Sequence, residues 1–251
     1  MGEALEVENL TWPETQSRLA ENPITVLPIG ATEQHGPHLP TGTDSFLAEE
    51  IARRVAMSLG ALLLPTIPLS YSWVWRDYPG TLSLKVETVE AIVKDVARSL
   101  SRFGAKVLIV INGHGANESA LKYAIRDLAD EIELDILYFY YPDLLELAKQ
   151  VTTSPLWEGK DVHACEIETS LLLAVRPDLC RMTLAPCEYP PVPAHFRHSA
   201  FSMGALSNSG VFGDAAAATP EKGRFILEGT VTRILESITY FLKQEHQGGN
   251  G

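Results

Sequence analysis

The stretch Lys106-Val107-Leu108-Ile109-Val110-Ile111 is an apolar, mostly β-branched run, and it predicts a central strand of a parallel sheet. A helix is predicted before it at residues 86–103, closed by Gly104, and another after it at residues 118–128. Further strands are predicted at residues 24–29, 61–67 and 136–141, with a helix at 45–59 between the first two. This alternation predicts an α/β fold, with a doubly wound, mostly parallel sheet and helices on both faces.

The remainder of the chain is less regular. Helices are predicted at residues 143–151 and 166–175, and a terminal helix is predicted from Pro220, with Thr219 as its N-cap, toward Leu242. Residues 176–217 are rich in proline, glycine and serine, as is typical of a segment that covers a site or forms an oligomer contact. No linker composition interrupts the chain, so residues 1–251 are predicted to form one domain.

The composition excludes several classes of protein. The 45% hydrophobic and 21% charged residues are typical of a globular protein, and the formal charge of −12 argues against binding to nucleic acid. Three cysteines without a CxxC pair fit a reducing compartment, and the acidic start of the chain lacks a signal-peptide pattern, so we expect a cytoplasmic protein. No segment has the ~18 consecutive apolar residues of a membrane span, and the expected partner is a small-molecule substrate.

A polar loop with metal-type ligands follows the predicted strand at residues 24–29. Glu33 and His35 are two residues apart, so in an extended segment their side chains leave the backbone on the same side. Asp44 comes nine residues after His35, past prolines and glycines that suit a loop folding back to the strand end. Asp44 also precedes a predicted helix, so it could instead be a helix N-cap. That alternative does not account for Glu33 and His35.

His114 lies in a second polar loop, after the predicted strand at residues 106–111 and between Gly113 and Gly115. In an open α/β sheet, ligands bind beyond the carboxyl ends of the strands, and parallel strands bring these two loops to one edge. Carboxylate and imidazole ligands without a thiolate indicate Zn²⁺, Mn²⁺ or Fe²⁺. If Asp44 bridges two ions, they would share a hydroxide that attacks a carbonyl, which predicts hydrolysis of an amide-like bond.

Five motifs, at residues 30–40 with Asp44, 79–81, 112–117, 163–170 and 210–214, resemble those of the creatininase (creatinine amidohydrolase) family and occur in its order. The resemblance implies a three-layer α/β/α fold, two divalent metal ions and a homo-oligomer, often a hexamer built from dimers. Carried over by position, it implies that Glu33 and His114 bind one ion and His35 binds the other, with Asp44 as the bridge.

The resemblance is incomplete at the second ion. A creatininase glutamate two residues after the metal histidine corresponds to Ala116, so this ion lacks one expected ligand. Glu168, which matches a family glutamate at a helix start, is the candidate to replace it, although the helix dipole alone favours a carboxylate there. His163 matches the histidine assigned as proton shuttle, and its alternative role is to cap the same helix. Glu168 and His163 are therefore the candidate catalytic residues.

Substrate-contacting positions depart further from creatininase. Its tyrosine, tryptophan and aspartate correspond to Gly115, Gly159 and Lys160, and the Glu-His pair of many relatives corresponds to Val74-Trp75, so a substrate other than creatinine is predicted. The predicted substrate-binding residues are Ser72, Trp73, Trp75, Arg76, Tyr78 and Gly115, with His195, Arg197 and His198 as further candidates. A stacking surface with cationic groups suits a polar ring, with or without a negative charge. The alternative is a core-covering loop whose arginines pair with surface acids.

The predicted function is that of a metal-dependent amidohydrolase, which attacks the carbonyl of a small polar molecule, such as a cyclic amide or a formamide, with a metal-bound hydroxide. Hydrolases that open keto-cyclitol rings or trim peptides on the same fold are alternatives implied by the resemblance. A non-catalytic metal-binding protein is another alternative, supported by Ala116. A cysteine or serine nucleophile is disfavoured because no nucleophile-elbow motif is present and Cys165 has no activating neighbour in the sequence.

Overall fold

A parallel sheet of five strands runs through the described part of the chain. The computed structural model describes residues 4–158 and 162–248, with β1 at Leu5–Glu6, β2 at Ile24–Ile29, β3 at Leu62–Leu63, β4 at Val107–Asn112 and β5 at Asp135–Phe139. The strands lie in the order β1-β3-β2-β4-β5, and neighbouring strands are parallel. β2 and β4 pair along their full length and are buried, because helices cover both faces of the sheet.

Helices form one layer on each face of this sheet. Their bounds are Trp12–Glu21 (α1), Thr43–Leu59 (α2), Val86–Arg102 (α3), Glu118–Leu128 (α4), Leu144–Ala148 (α5), Glu166–Val175 (α6) and Pro220–Gly248 (α7). α1, α3 and α4 pack on one face, where Leu19, Val93 and Leu121 contact the sheet core. α2, α6 and α7 pack on the other face, where Leu47 of α2 and Ile226 of α7 belong to the hydrophobic core. The predicted three-layer α/β/α architecture with a mostly parallel sheet is confirmed.

The spacing of apolar residues explains which face of a helix packs against the sheet. In α3, the buried residues Val89, Val93, Ala97 and Leu100 recur every three or four positions, so they form one stripe that faces the sheet. Gly104, just beyond this helix, has a φ of +93°, a conformation that glycine adopts without strain. The glycine therefore ends α3 as its position in the sequence predicts.

Some element boundaries differ from the sequence-based expectation. β3 itself spans Leu62–Leu63, although a strand was expected over residues 61–67; beyond it, past Pro65, Ile67 forms a single parallel bridge to Ile29 at the end of β2. α5 is shorter than expected and α7 is longer. The sequence-based expectation omitted β1 and α1. Thr11 and Glu14 form a capping box at the start of α1, where the Thr11 N–H donates to the Glu14 carboxylate at 2.7 Å.

β2 and β4 are neighbours whose chain connections diverge. The chain leaves β2 through α2 toward β3, and it leaves β4 through α4 toward β5, on the opposite side and the opposite face. Such a switch in direction opens a crevice at the carboxyl ends of the two strands. A Cβ atom on Gly30, after β2, would lie 2.4 Å from the Ser45 nitrogen, and one on Gly113, after β4, 2.2 Å from the Asp44 carbonyl oxygen. These two glycines let the first turn of α2 rest on both strand ends.

Residues 176–217 contain short 3₁₀ turns and one antiparallel strand pair. β6 at Cys187–Glu188 pairs with β7 at Gly213–Asp214. The Glu188 carboxylate accepts hydrogen bonds from the N–H groups of Asn208 and Ser209, both at 3.1 Å, and so holds the loop before β7. Across the described ranges, none of the helices has both the length and the apolar composition required to cross a membrane.

Candidate active site

Four buried polar side chains meet at the carboxyl ends of β2 and β4. Glu33 and His35 come from the loop after β2, Asp44 from the first turn of α2, and His114 from the loop after β4. Each is less than a tenth exposed. The structure thus brings together residues that are up to 81 positions apart in the sequence, as the two predicted loops required.

Asp44 lies between the two histidines. Its Oδ1 atom is 3.1 Å from His35 Nε2, and its Oδ2 atom is 3.1 Å from His114 Nδ1. Gly42 holds the N-cap position of α2, so the alternative role of Asp44 as the N-cap does not apply. One carboxylate oxygen facing each imidazole is the arrangement that a bridging ligand between two ions needs.

The second nitrogen of each imidazole is held by a backbone carbonyl. His35 Nδ1 lies 3.2 Å from the Glu33 carbonyl oxygen, and His114 Nε2 lies 2.9 Å from the Tyr71 carbonyl oxygen. A carbonyl accepts only from an N–H group, so these contacts place a proton on that nitrogen and aim the other nitrogen at the carboxylates. Metal-binding histidines in proteins are oriented in this way.

Glu168 joins the group from α6. Its Oε2 atom lies 3.8 Å from His35 Nε2 and accepts a hydrogen bond from the Ala164 N–H, just before the helix. The carboxylate therefore stabilises the helix start and also faces the crevice. Ligand atoms of His35, Asp44 and Glu168 lie within 4.8 Å of one another, as do those of Glu33, Asp44 and His114, and those of Glu33, His35 and His163.

The electrostatics of the group suit a cation. Burial alone would lower the pKa of His35, but Asp44, Glu168 and Glu33 raise it to about 10. The pKa of His114 is likewise raised, against its burial, by Glu33 and Asp44. Glu33 Oε2, His35 Nε2 and Asp44 Oδ2 are buried, and none of them has a contact with the geometry of a hydrogen bond. A divalent ion would replace the imidazole protons and satisfy these atoms, so the residues present fit a metal centre.

His163 lies beside this group and is held on two sides. Its ring stacks on Trp75 with centroids 3.8 Å apart and planes 16° apart. Its Nε2 atom lies 2.7 Å from the Gln34 amide nitrogen and 3.0 Å from the Gln34 carbonyl oxygen, while Nδ1 lies 3.8 Å from Glu33 Oε1. Burial, with the nearby His35, holds the pKa of His163 well below its usual value, so its ring is neutral.

A cavity of about 720 Å³ opens above these residues. Glu33, Asp44, His114, His163 and Glu168 lie on its floor. Its walls come from four segments of the chain, and the lining residues include Val74, Trp75, Tyr140, Tyr141, Leu144, Leu145, Trp157, Val162, Phe196, Met203 and Phe212. The volume is in the range of pockets that hold small ligands, about 300 to 1,000 Å³.

Among the predicted substrate-binding residues, Trp75 and Gly115 line this cavity. Ser72, Trp73, Arg76 and Tyr78 do not. Arg76 is exposed and lies over the Trp73 ring at 3.6 Å, and the Tyr78 hydroxyl donates to the Ser207 carbonyl. His195 and His198 are also exposed, whereas the Arg197 side chain and the positions Gly159 and Lys160 lie outside the described part of the structure.

Several cavity residues were not predicted from the sequence. Tyr140 and Tyr141 follow β5, at the same sheet edge as the other loops, so the rule that located His114 could also have found them. The Tyr140 hydroxyl lies against Gly115, where a Cβ atom would be 3.1 Å away. Trp157 and Phe212 come from irregular segments; Phe212 lies within the family motif at residues 210–214, whereas no sequence signal marks Trp157.

Comparisons with known proteins match the chain to one family along nearly its whole length. The family described as creatininase, creatinine amidohydrolase, matches residues 8–238. A creatinine amidohydrolase of Pseudomonas putida is 30% identical over 259 residues, covering 95% of this chain and 97% of that protein. A mycofactocin precursor peptide peptidase of Mycobacterium tuberculosis (strain ATCC 25618 / H37Rv) is 31% identical over 245 residues, covering 92% and 90%.

The fold comparison extends over nearly the whole chain. A solved structure of a mutant creatininase of the Zn-Zn type superposes with a TM-score of 0.81 at 30% identity, covering 94% of this chain and 98% of that one. The family match spans residues 8–238, a range that contains Glu33, His35, Asp44 and His114. The chain therefore belongs to the creatininase family.

Proposed function

We propose that this chain is a hydrolase with two divalent metal ions, Zn²⁺, Mn²⁺ or Fe²⁺, that cleaves a C–N bond next to the carbonyl of a small molecule. The observation that carries the proposal is the pair of imidazoles at Asp44. His35 and His114 each have one nitrogen held by a backbone carbonyl and the other aimed at a different oxygen of Asp44. Nitrogen and oxygen ligands of this kind suit catalytic ions of these three elements.

The residues divide into two ligand sets around Asp44. Glu33 and His114 would hold one ion, because their ligand atoms lie 3.4 Å apart and both are close to Asp44. His35 and Glu168 would hold the other. In this assignment Glu168, from the start of α6, takes the place that Ala116 leaves open, and the second ion has three protein ligands.

When bound, such ions polarise a carbonyl oxygen and lower the pKa of a water molecule. The chain's own residues then orient the substrate and move protons. His163 is neutral, and its Nδ1 atom faces the floor of the cavity, where it would take up a proton and pass it to the leaving nitrogen. Trp75 and Gln34 keep that ring in position. Apolar side chains surround these groups on the cavity walls.

Metal analysis of the purified chain tests the proposal. We expect two ions per wild-type chain, and a loss of metal from His35→Ala and Asp44→Ala, whereas His195→Ala, an exposed histidine outside the cavity, should keep both. The metal-loaded protein should hydrolyse at least one cyclic amide, formamide or short peptide, and the two floor variants should not. Unchanged metal content in both variants would overturn the ligand assignment.

Full metal content without activity on any substrate class would instead favour a non-catalytic metal-binding protein. We further propose a homo-oligomer, following the family resemblance, and a cytoplasmic location, following the sparse cysteines without a CxxC pair. Light scattering on the eluting peak of a size-exclusion column gives its mass, and a mass equal to the 27.5 kDa of one chain would contradict it.

A further inference from the structure

The walls of the cavity differ in chemistry from its floor. We call Trp75, Trp157, Phe196, Met203 and Phe212 the aromatic wall; all five line the cavity and pack in one hydrophobic cluster. Trp157 contacts Phe212 edge to face with ring centroids 4.7 Å apart, and Phe196 with centroids 6.2 Å apart. The Trp157 indole N–H donates to the Pro190 carbonyl at 2.7 Å, so its polar atom is already used. The aromatic wall therefore presents hydrocarbon to a ligand.

Positive charge is missing from the walls as far as the structure describes them. The charged residues that line the cavity away from its floor are Asp143 and Glu146, and both are acidic. Asp143 pairs with Arg233 at 3.3 Å, and Glu146 pairs with Lys149 at 2.6 Å. A phosphate or carboxylate on the substrate would meet no cationic partner among these described wall side chains.

Two tyrosines outside the aromatic wall also line the cavity. The Tyr141 hydroxyl is buried without a hydrogen-bond partner, and its residue is 6% exposed and lines the cavity. Tyr140 lines the cavity beside it, with the two rings 5.2 Å apart. Phenolic hydroxyls can bind one neutral polar group, such as an amide, without requiring a charge.

We propose that the substrate carries an apolar group, about the size of an aromatic ring, that packs on the aromatic wall while its amide carbonyl lies at the floor. This inference rests on the proposed hydrolase function and names its substrate class: a neutral amide with an apolar substituent, in place of a charged ring. Val74 and Trp75 both contribute apolar side chains to the cavity lining, as such a substituent requires.

Hydroxamates test the proposal, because they bind metal centres and vary in one substituent. Calorimetric titration of the Zn²⁺-loaded full chain would compare acetohydroxamate, benzohydroxamate, phenylacetohydroxamate and the anionic succinic monohydroxamate. We expect the better of the two aromatic compounds to bind at least about tenfold more tightly than acetohydroxamate, since burial of an apolar group of this size favours binding by such a factor. The anionic compound should show no gain.

Two methionine variants test whether the aromatic wall causes the difference in hydroxamate affinity. Met203→Gln keeps the side-chain length and makes the aromatic wall polar, so it should reduce the ratio of aromatic to acetohydroxamate affinity severalfold. Met182→Gln changes a similarly half-buried methionine outside the cavity and should keep the wild-type ratio.

The outcomes separate this inference from the proposed function. Equal affinity for all four hydroxamates, or tightest binding of the anionic one, would overturn the substrate class and leave the metal centre standing. A ratio that stays unchanged in Met203→Gln would also overturn it. Failure of the purified chain to retain ions, or of any hydroxamate to bind the loaded protein, would overturn the proposed function and the inference together.

Discussion

Replacing Glu166 by glutamine tests whether one buried charge holds the start of α6, the helix that carries Glu168. Glu166 is 1% exposed. Its carboxylate accepts hydrogen bonds from the N–H groups of Thr153 and Ser154, at 2.9 Å and 2.8 Å, and from the Lys222 ammonium. A glutamine of the same size would keep one carbonyl acceptor, present an N–H group to the backbone donors, and leave Lys222 without its counter-charge.

The pKa of Glu166 gives the magnitude. Burial would raise this pKa, but Lys222 and Ser154 lower it from 4.5 to about 2. Since one pKa unit corresponds to about 1.4 kcal/mol, the ionised group contributes about 3 kcal/mol to the free energy of unfolding at pH 7. Breaking a buried ion pair by removing one partner costs a similar amount, about 3 to 5 kcal/mol. We therefore expect Glu166→Gln to lose about 3 kcal/mol at neutral pH.

Urea denaturation in the presence of a chelator measures this loss without a contribution from bound metal. Coincident transitions by circular dichroism and tryptophan fluorescence would establish two-state behaviour. Because the folded pKa is lowered, the difference between wild type and variant should be constant from pH 8 to about pH 5 and shrink as the pH falls from 4.5 toward 2. Glu236→Gln, which removes an exposed partner of Arg233, is the matched control. A loss no larger than that of the control would refute the reasoning.

Zn²⁺ or Mn²⁺ at a hundred times its Kd should stabilise the wild-type chain by about 2.7 kcal/mol, seen as a raised Tm, and leave Asp44→Ala unchanged; an equal shift in both would contradict the site. Gly113→Ala places a Cβ atom 2.2 Å from the Asp44 carbonyl oxygen, so urea denaturation should show a loss of about 1 to 3 kcal/mol, and an unchanged midpoint would contradict the close packing. Burial raises the pKa of Cys165 to about 12, so iodoacetamide at pH 8 should label the exposed Cys187 and spare Cys165, as mass spectrometry would show; labelling of Cys165 in the folded chain would count against this.

The parts of the fold that were predictable are those where local pattern and packing agree. The continuous apolar run of β4 is typical of a buried strand, and the apolar stripe of α3 has helical spacing, so the positions of both elements follow from the sequence. The length of β3 did not follow, because regular pairing with β1 and β2 is limited to Leu62–Leu63, while Ile67 contacts β2 through a single bridge. α1 could have been found from the Thr11–Glu14 capping box.

The floor of the site was more predictable than its walls. Glu33, His35 and His114 stand directly after buried strands, and parallel pairing brings such positions together. Trp157 and Phe212 reach the cavity through irregular segments whose paths are set by tertiary contacts such as the Phe212 N–H to the His163 carbonyl, 3.2 Å. Sequence periodicity carries no information about contacts of that kind.

The two glycines beneath α2 fix the position of Asp44, whereas the side chains of the cavity walls are free to vary. Since Gly30 and Gly113 let main chain touch main chain, the height of Asp44 above the sheet is set by backbone geometry, and no exchange of a neighbouring side chain can adjust it. The cavity walls are built from side chains on connecting segments and can vary one residue at a time. Directed evolution of this scaffold should therefore recover new substrate ranges from wall substitutions, whereas substitutions at positions 30 and 113 should be selected against.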